Sequence, residues 1–404
     1  MRILLAHPGT QHARRLAREL ERRGLLGEFW TGIAVAGDGA VAGLIPGFSW
    51  FPPAKGLRNR IVPGVPAARL RCLPANELRA LARLKWGGDP LRIIHERNEF
   101  FQDAIPAASL RACDAVIAFD TSAWRLAARA QALDLPCYLD RTIAHPAAFA
   151  RIERELERLY PDWCPPSPPR PDYLVAAESE EHRLAHRIVV GSSFARDTLI
   201  AEDIPVSKIK VNPYGVDWTR FAVPAAAAAT RPLRFLFLGS HLARKGLPIL
   251  LEAWRALGTR RGDAELCLAG HCGERERRLI APQPGLRVVG LVPHVDVPAL
   301  LAKCDVFVLP SLLEGFSLAL LEALASGLPI VSTPNSGATD LITTPALGRV
   351  VASGSVDALV AALESYTINP PDRAVVHAAA LPLAQRFSWD AYGDRWSELL
   401  LAST

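Results

Sequence analysis

Along this chain, short apolar runs alternate with longer stretches in which apolar residues return every three or four positions. The first spacing marks buried strands, the second the core-facing stripe of helices. Residues 2–6 predict a strand ending at Pro8-Gly9. Residues 11–23 predict a helix with Ala13, Leu16, Ala17 and Leu20 inward and Gly24 as its stop. A second strand follows at 29–35. Further strands are predicted at 115–119, 137–140, 187–190 and 209–213, with helices at 122–133, 147–160 and 193–201 between them. Such alternation implies a parallel sheet covered on both faces. Two segments break the pattern. Residues 37 to about 89 are rich in Gly and Pro, carry Phe48, Trp50 and Phe51, and read as one long irregular excursion. Residues 161–171 carry six prolines and read as irregular too.

Residues 222–232, with five consecutive alanines between two prolines, show no periodicity and read as an interdomain linker. Beyond it, strands are predicted at 234–239, 265–269, 286–290, 306–310 and 329–332. Helices are predicted at 246–257, 297–302, 317–326 and 355–365. Residues 387–400 form an amphipathic pattern through Trp389, Tyr392, Trp396 and Leu399 with no strand of their own to cover. This last helix is expected to pack back on the first half. The fold class is α/β: two Rossmann-like, doubly wound domains facing each other across a cleft. The first comprises residues 1–221, completed by 388–404, and the second residues 233–387. Ligands in such sheets sit at the carboxyl ends of the strands.

Composition narrows the function classes. At 404 residues, 50% hydrophobic and 22% charged, the chain has material for more than one core and is neither disordered nor disulfide-stapled. The net charge of +5 comes without a block of like charges, which argues against a nucleic-acid partner and leaves room for anionic ligands. Seven cysteines without a CxxC pair read as free thiols of a reducing compartment. The nearest pair, Cys267 and Cys272, has only His271 beside it, so zinc is not expected. No apolar run suits a signal or a membrane span, and a cytoplasmic protein, peripheral at most, is expected.

The sharpest chemistry lies between Leu309 and Pro329. A strand ends at Pro310, a loop carries Glu314 and Gly315, and a helix opens at Ser317. The amides of Phe316, Ser317 and Leu318 at that helix start are suited to a phosphate. Glu322 falls among Leu318, Leu320, Leu321, Ala323 and Leu324 and needs a donor, either a ligand hydroxyl or a structural arginine. A second loop, Gly239-Ser240-His241-Leu242-Ala243-Arg244-Lys245-Gly246, places two cations after a strand, where they suit a diphosphate. Neither a Walker loop nor GxGxxG occurs, which disfavours a dinucleotide oxidoreductase. Gly9 and Thr10 follow the first strand, where backbone can approach a ligand, and His145 follows another strand end. With no Asp-x-Asp pair for a metal, the Lys245 loop and the Ser317 helix end must hold any diphosphate charge.

The frame E-G-F-S-x-x-x-x-E-A-x-A-S-G-x-P-I-V, with Glu314 and Glu322 as its acids, resembles the signature of glycosyltransferase family 4, the retaining GT-B enzymes (glycosyl transferases group 1). Weaker matches fall in the family's order: Arg187 to Phe194, Lys210 to Asp217, Gly239 to Gly246, and Phe387-Ser388-Trp389. The resemblance implies an N-terminal acceptor domain, a C-terminal domain for a nucleoside-diphosphate sugar, and a final helix crossing back. By position, Glu314 would bind donor-sugar hydroxyls and Glu322 the ribose. The Phe316–Leu318 amides, Lys245 and Arg244 would hold the diphosphate, and His145 the sugar. Gly9 and Thr10 would form the first glycine loop, Gly239 and Ser240 would lie in the cation loop, and Leu291-Val292 after Gly290 would read the base. Ser240 departs from the family, which commonly has Arg there, and the first loop has one Gly where many members have two.

The implied activity is metal-independent, retaining transfer of a sugar to an acceptor hydroxyl on a glycan, a lipid-linked glycan or a small molecule, with no cofactor besides the donor. A nucleotide-sugar epimerase, a sugar phosphorylase and a non-catalytic sugar-nucleotide-binding protein stand as alternatives. Arg14, Arg15, Arg18, Arg22 and Arg23 on the first helix, with the nearby aromatics, suit either an anionic membrane surface or a solvated face.

Overall fold

The computed structural model describes residues 1–9, 11–38, 60–222, 232–240 and 242–402. Strands numbered along the chain are β1 (Ile3–His7), β2 (Leu26–Thr31), β3 (Val35–Ala36), β4 (Ile61–Val62), β5 (Leu70–Cys72), β6 (Ala115–Phe119), β7 (Cys137–Arg141), β8 (Arg187–Val190) and β9 (Ile209–Val211). All but β3 and β4, which pair with each other, form a seven-stranded parallel sheet in the order β5-β2-β1-β6-β7-β8-β9. A second parallel sheet contains β10 (Arg234–Leu238), β11 (Glu265–Ala269), β12 (Leu286–Gly290), β13 (Val306–Leu309), β14 (Ile330–Ser332) and β15 (Gly348–Val350). Its order is β12-β11-β10-β13-β14-β15. Central strands β1, β6, β11 and β13 are buried at every position, which is why they read as apolar runs broken only by His7 and Glu265 at strand ends.

Both sheets reverse direction beside their first strand, between β1 and β6 and between β10 and β13. A crevice opens at the carboxyl ends of the strands at each reversal. The loops around Gly9 and Asp120 occupy the first crevice, and those around Lys245 and Glu314 the second.

Hydrogen bonds join the halves. Ser192 Oγ donates to the Gly315 carbonyl, Ser193 N to Asp340 Oδ2 at 2.9 Å, and Tyr160 OH to Glu252 Oε2 at 3.1 Å. The last helix, Trp389–Leu401, does return to the first half. Tyr392 OH donates to Asp140 Oδ2 at 3.0 Å, and Arg23 pairs with Asp390 and Asp394 at 3.0 and 2.7 Å. Gly215 is needed beneath it, because a Cβ there would fall 2.2 Å from backbone atoms of Ser388 and Trp389.

Several expectations change. The excursion is not irregular throughout: β4, β5 and the helix Pro74–Lys85 lie within it, and β5 forms a sheet edge. Residues 39–59, with Phe48, Trp50 and Phe51, lie outside the described residues, as does most of the linker. Helices Pro90–Ala104, Asp172–Leu184 and Arg373–Arg386 and the edge strand β15 were not anticipated. The arginines of the first helix are largely engaged within the molecule. Arg22 and Arg23 both pair with Glu19, and Arg15 lies 5.7 Å over the Trp389 ring. That helix packs on the last helix, while Arg15 and Arg22 remain exposed. Among the described residues, no helix is long and apolar enough to cross a membrane, and all seven cysteines are free thiols.

Candidate active site

The cation loop is shaped by its glycines. Gly239 N donates to the Ala269 carbonyl at 3.0 Å, and a Cβ at Gly239 would sit 2.5 Å from Lys245 Cδ. The missing side chain is the space into which Lys245 folds. Gly246, at φ +79°, starts the helix Leu247–Leu257 in a left-handed conformation, with Pro310 O only 2.1 Å from where a Cβ would be. These two close approaches press the cation loop onto the loop after β13. Lys245 Nζ then reaches Glu314 Oε1 at 2.8 Å, and Arg244 Nη1 lies 3.3 Å from the same oxygen. Arg244 also donates to the Leu313 carbonyl, so it braces the Glu314 loop. Two cations face one carboxylate in a largely buried setting, leaving a net positive centre suited to an anion. Ser240 is exposed at the loop's tip.

On the far side of Glu314, Gly315 lies against the first domain, and Phe316 stacks on Phe387 at 6.0 Å. The helix is Leu318–Ala325, with Ser317 as its N-cap but without a side-chain capping bond. Of the three amides expected to be free, that of Ser317 is engaged, donating to the Ser336 carbonyl at 3.1 Å. Tight packing of the 334–336 turn beneath the helix end causes this. Glu322 is buried to 9% exposure, and its partner is not an arginine. His294 Nε2 lies 3.0 Å from Glu322 Oε1.

In the first domain, His145 caps the helix Pro146–Leu159, its Nδ1 accepting from Ala147 N at 3.2 Å, while its own amide donates to Thr198 Oγ1 at 3.0 Å. Burial, reinforced by the Arg141 guanidinium, pushes the imidazole down to about 4. It is neutral at pH 7, and with Nδ1 accepting, the proton sits on Nε2. Thr142, three residues earlier, touches Gly315, so the His145 and Glu314 loops border one cleft. Gly9 N donates to His7 Nδ1 at 3.0 Å, and Thr10 lies outside the described residues. Leu291 and Val292 lie in the loop after β12, with Leu291 exposed.

Sequence reasoning missed a buried polar group beside this cleft. Asp140 Oδ2 accepts from both His12 Nε2 and Tyr392 OH at 3.0 Å, and the His12 and Tyr214 rings are 4.3 Å apart. Asp120 accepts from Thr142 Oγ1 at 2.9 Å, and burial holds it above the usual carboxylate range. A polar residue at a strand's carboxyl end was the available signal for Asp120 and Asp140. Nothing local marked Tyr392. Among the described residues, no group of three or more His, Cys, Asp or Glu is placed to hold a metal ion.

Residues 232–368 match the family model described as Glycosyl transferases group 1. They form a group 1 glycosyl transferase domain. The chain is 34% identical over 194 residues to the amylovoran biosynthesis glycosyltransferase AmsK of Erwinia amylovora, covering 45% of this chain and 47% of that protein. It spans about half the length of the curated relatives it matches. Sucrose-phosphate synthase from Thermosynechococcus elongatus superposes with a TM-score of 0.68 at 16% identity, over 100% of both chains. The Anabaena HepE protein in complex with UDP and glucose does so with a TM-score of 0.63 at 15% identity, again over 100% of both. The group 1 domain is thus the second half of a GT-B fold. Lys245, Glu314, Ser317 and Glu322 all lie inside it.

Proposed function

We propose that the chain is a retaining glycosyltransferase that moves a sugar from a nucleoside-diphosphate sugar to an acceptor hydroxyl without a metal ion. The observation that carries this reading is the Lys245–Glu314 pair at 2.8 Å, with Arg244 bracing it, at the carboxyl end of the group 1 domain's sheet. Within the chain the cation and the carboxylate face each other as an ion pair. A bound donor separates their tasks: its β-phosphate takes the Lys245 ammonium, and its sugar hydroxyls take the Glu314 carboxylate. Glu322 accepts from the ribose, and the neutral His145 donates from Nε2 to the sugar.

As the bond from the anomeric carbon to the phosphate oxygen breaks, negative charge collects on the diphosphate. Lys245 and the helix end above Ser317 stabilise it. The acceptor oxygen bonds to the anomeric carbon from the same face, and its proton passes to the departing phosphate oxygen. Closure of the two domains keeps water out. UDP in the HepE complex and the amylovoran-biosynthesis name of AmsK support a nucleotide-sugar donor and a glycan acceptor. The reaction takes place in the cytoplasm and needs no cofactor.

The test is nucleotide binding and product analysis with UDP- and GDP-sugars. Wild-type protein should bind one of them and transfer its sugar with retained configuration. Lys245→Ala should lose turnover and Glu322→Ala should lose binding. Donor epimerised or phosphorolysed with no acceptor present, or donor bound and never consumed, would refute the assignment. So would wild-type turnover by either variant.

A further inference from the structure

Glu322 projects from a helix whose neighbours Leu320, Leu321, Ala323 and Leu324 are fully buried. A carboxylate in that position must be held by a donor or move. The donor is His294, in the loop after β12, and the arrangement around it extends beyond the pair. Arg220 Nη2 donates to the main-chain carbonyl of His294 at 2.6 Å, and the Phe221 ring lies 6.2 Å from the imidazole. Both residues belong to the helix Trp218–Phe221, in the stretch of chain between the two sheets. That helix is itself fixed. Asp217 accepts from Arg220 N at 3.2 Å, and Trp218 Nε1 donates to the Phe387 carbonyl at 3.1 Å, just before the crossing helix.

We propose that His294 is the positioning residue for Glu322. Its Nε2–H fixes one carboxylate oxygen, turning the other toward the ribose hydroxyls, and Arg220 and Phe221 hold His294 in place from the interdomain connection. This rests on the reading that Glu322 meets the donor ribose. His294 touches no donor atom itself and acts through Glu322. Its imidazole is 63% exposed while the Glu322 side chain is 12% exposed, so the histidine sits at the rim and the acid inside. A ligand entering past the rim meets a carboxylate whose plane is already set, which lowers the ordering cost of binding.

The experiment is calorimetric titration of wild type, His294→Ala, His294→Gln and Arg220→Ala with UDP, GDP and their 2′,3′-dideoxy counterparts. A hydrogen bond to a charged group corresponds to about tenfold in affinity at the low end of its range, the end suited to a histidine at the exposed rim. His294→Ala should therefore weaken the ribonucleotide about tenfold and leave the dideoxynucleotide unchanged. His294→Gln, which keeps an N–H donor, should recover most of the loss, and Arg220→Ala should show a smaller loss with the same ribose dependence. Equal weakening of both nucleotides would make His294 merely structural and overturn the proposal, as would no weakening at all. A wild-type protein that binds ribo- and dideoxynucleotides equally, or binds neither, would instead overturn the assignment of Glu322 to the ribose.

Discussion

Replacing Gly315 with alanine tests whether the two halves must meet as they do here. A Cβ at this position would lie 1.9 Å from Thr142 O, 2.7 Å from its carbonyl carbon and 2.9 Å from Ile143 Cα. All three are backbone atoms, so no side chain can swing aside. Gly315 is not among the glycines with positive φ, and alanine is therefore compatible with its backbone. The whole penalty is steric and falls between domains. Restoring ordinary contact needs a separation of roughly 1.5 Å, since apolar atoms rest about 3.5 Å apart. That movement breaks the Ser192 Oγ bond to Gly315 O and strains the Ser193–Asp340 bond at 2.9 Å. Overpacking of this kind costs about 1–3 kcal/mol. Here it is charged to the interface and not to either core, so the melting temperature should drop only slightly. Lys245 and Glu322 keep their relation to each other, and nucleotide affinity should stay within about threefold of wild type. Turnover should fall about a hundredfold, the usual consequence of misplacing reactive groups by about 1 Å. Measuring kcat for sugar transfer beside calorimetric nucleotide binding separates the two effects. Wild-type kcat in Gly315→Ala would refute the inference that this contact sets the working geometry.

Three further outcomes follow from close approaches and burial. Gly239→Ala places a methyl 2.5 Å from Lys245 Cδ and should lift the flexible ammonium off Glu314, weakening diphosphate binding about tenfold in a calorimetric titration. Tyr392→Phe removes one of two donors to the buried Asp140 and should cost about 1.5–3 kcal/mol, read as a lower melting temperature and faster proteolysis of the last helix. His7, fully buried, is pushed down to about 3 by burial from an unfolded value of 6.5. Its neutral folded form stabilises the fold above pH 6.5, and this contribution is lost as pH falls toward 3. The stability advantage of wild type over His7→Asn should therefore shrink by about 2 kcal/mol between pH 7 and pH 5. An unchanged gap in denaturation at the two pH values would show that His7 is not held neutral.

The fold was legible where burial is two-sided. Strands such as β6, β8 and β11 follow the apolar runs to the residue, because a central parallel strand has no solvent face to dilute its pattern. Two edge strands, β5 and β15, were not legible. β5 has only half-buried positions and β15 ends in the exposed Arg349 and Val350, so neither leaves an apolar run. The helix Pro74–Lys85 was hidden for a related reason. Only Glu77 and Ala80 are buried in it, and Leu78 and Leu81 face outward, which cancels the three-to-four-residue stripe. The helix Arg373–Arg386 contains Pro382, a residue that argues locally against the element it occupies.

At the site, residue types were legible and pairings were not. Lys245, Glu314 and Glu322 stand out because charge beside apolar runs is conspicuous. Their partners depend on which loops the strand order brings together. β10 lies against β13, and that adjacency sets the Lys245 ammonium on a carboxylate 69 residues away in the chain. β13 lies against β14, and the turn after β14 then occupies the Ser317 amide. His294 reaches Glu322 because its loop leaves the outer strand β12 and crosses back over the helix. In each case a group that spacing alone would leave open to a ligand already has a partner within the chain. The consequence is chemical. Under the proposed function, an anion reaching Lys245 competes with Glu314 and must release that carboxylate as it binds, so diphosphate capture and exposure of a hydroxyl acceptor for the sugar would become one event. A free phosphate, which brings no hydroxyls for Glu314, should then bind more weakly than its charge alone would suggest.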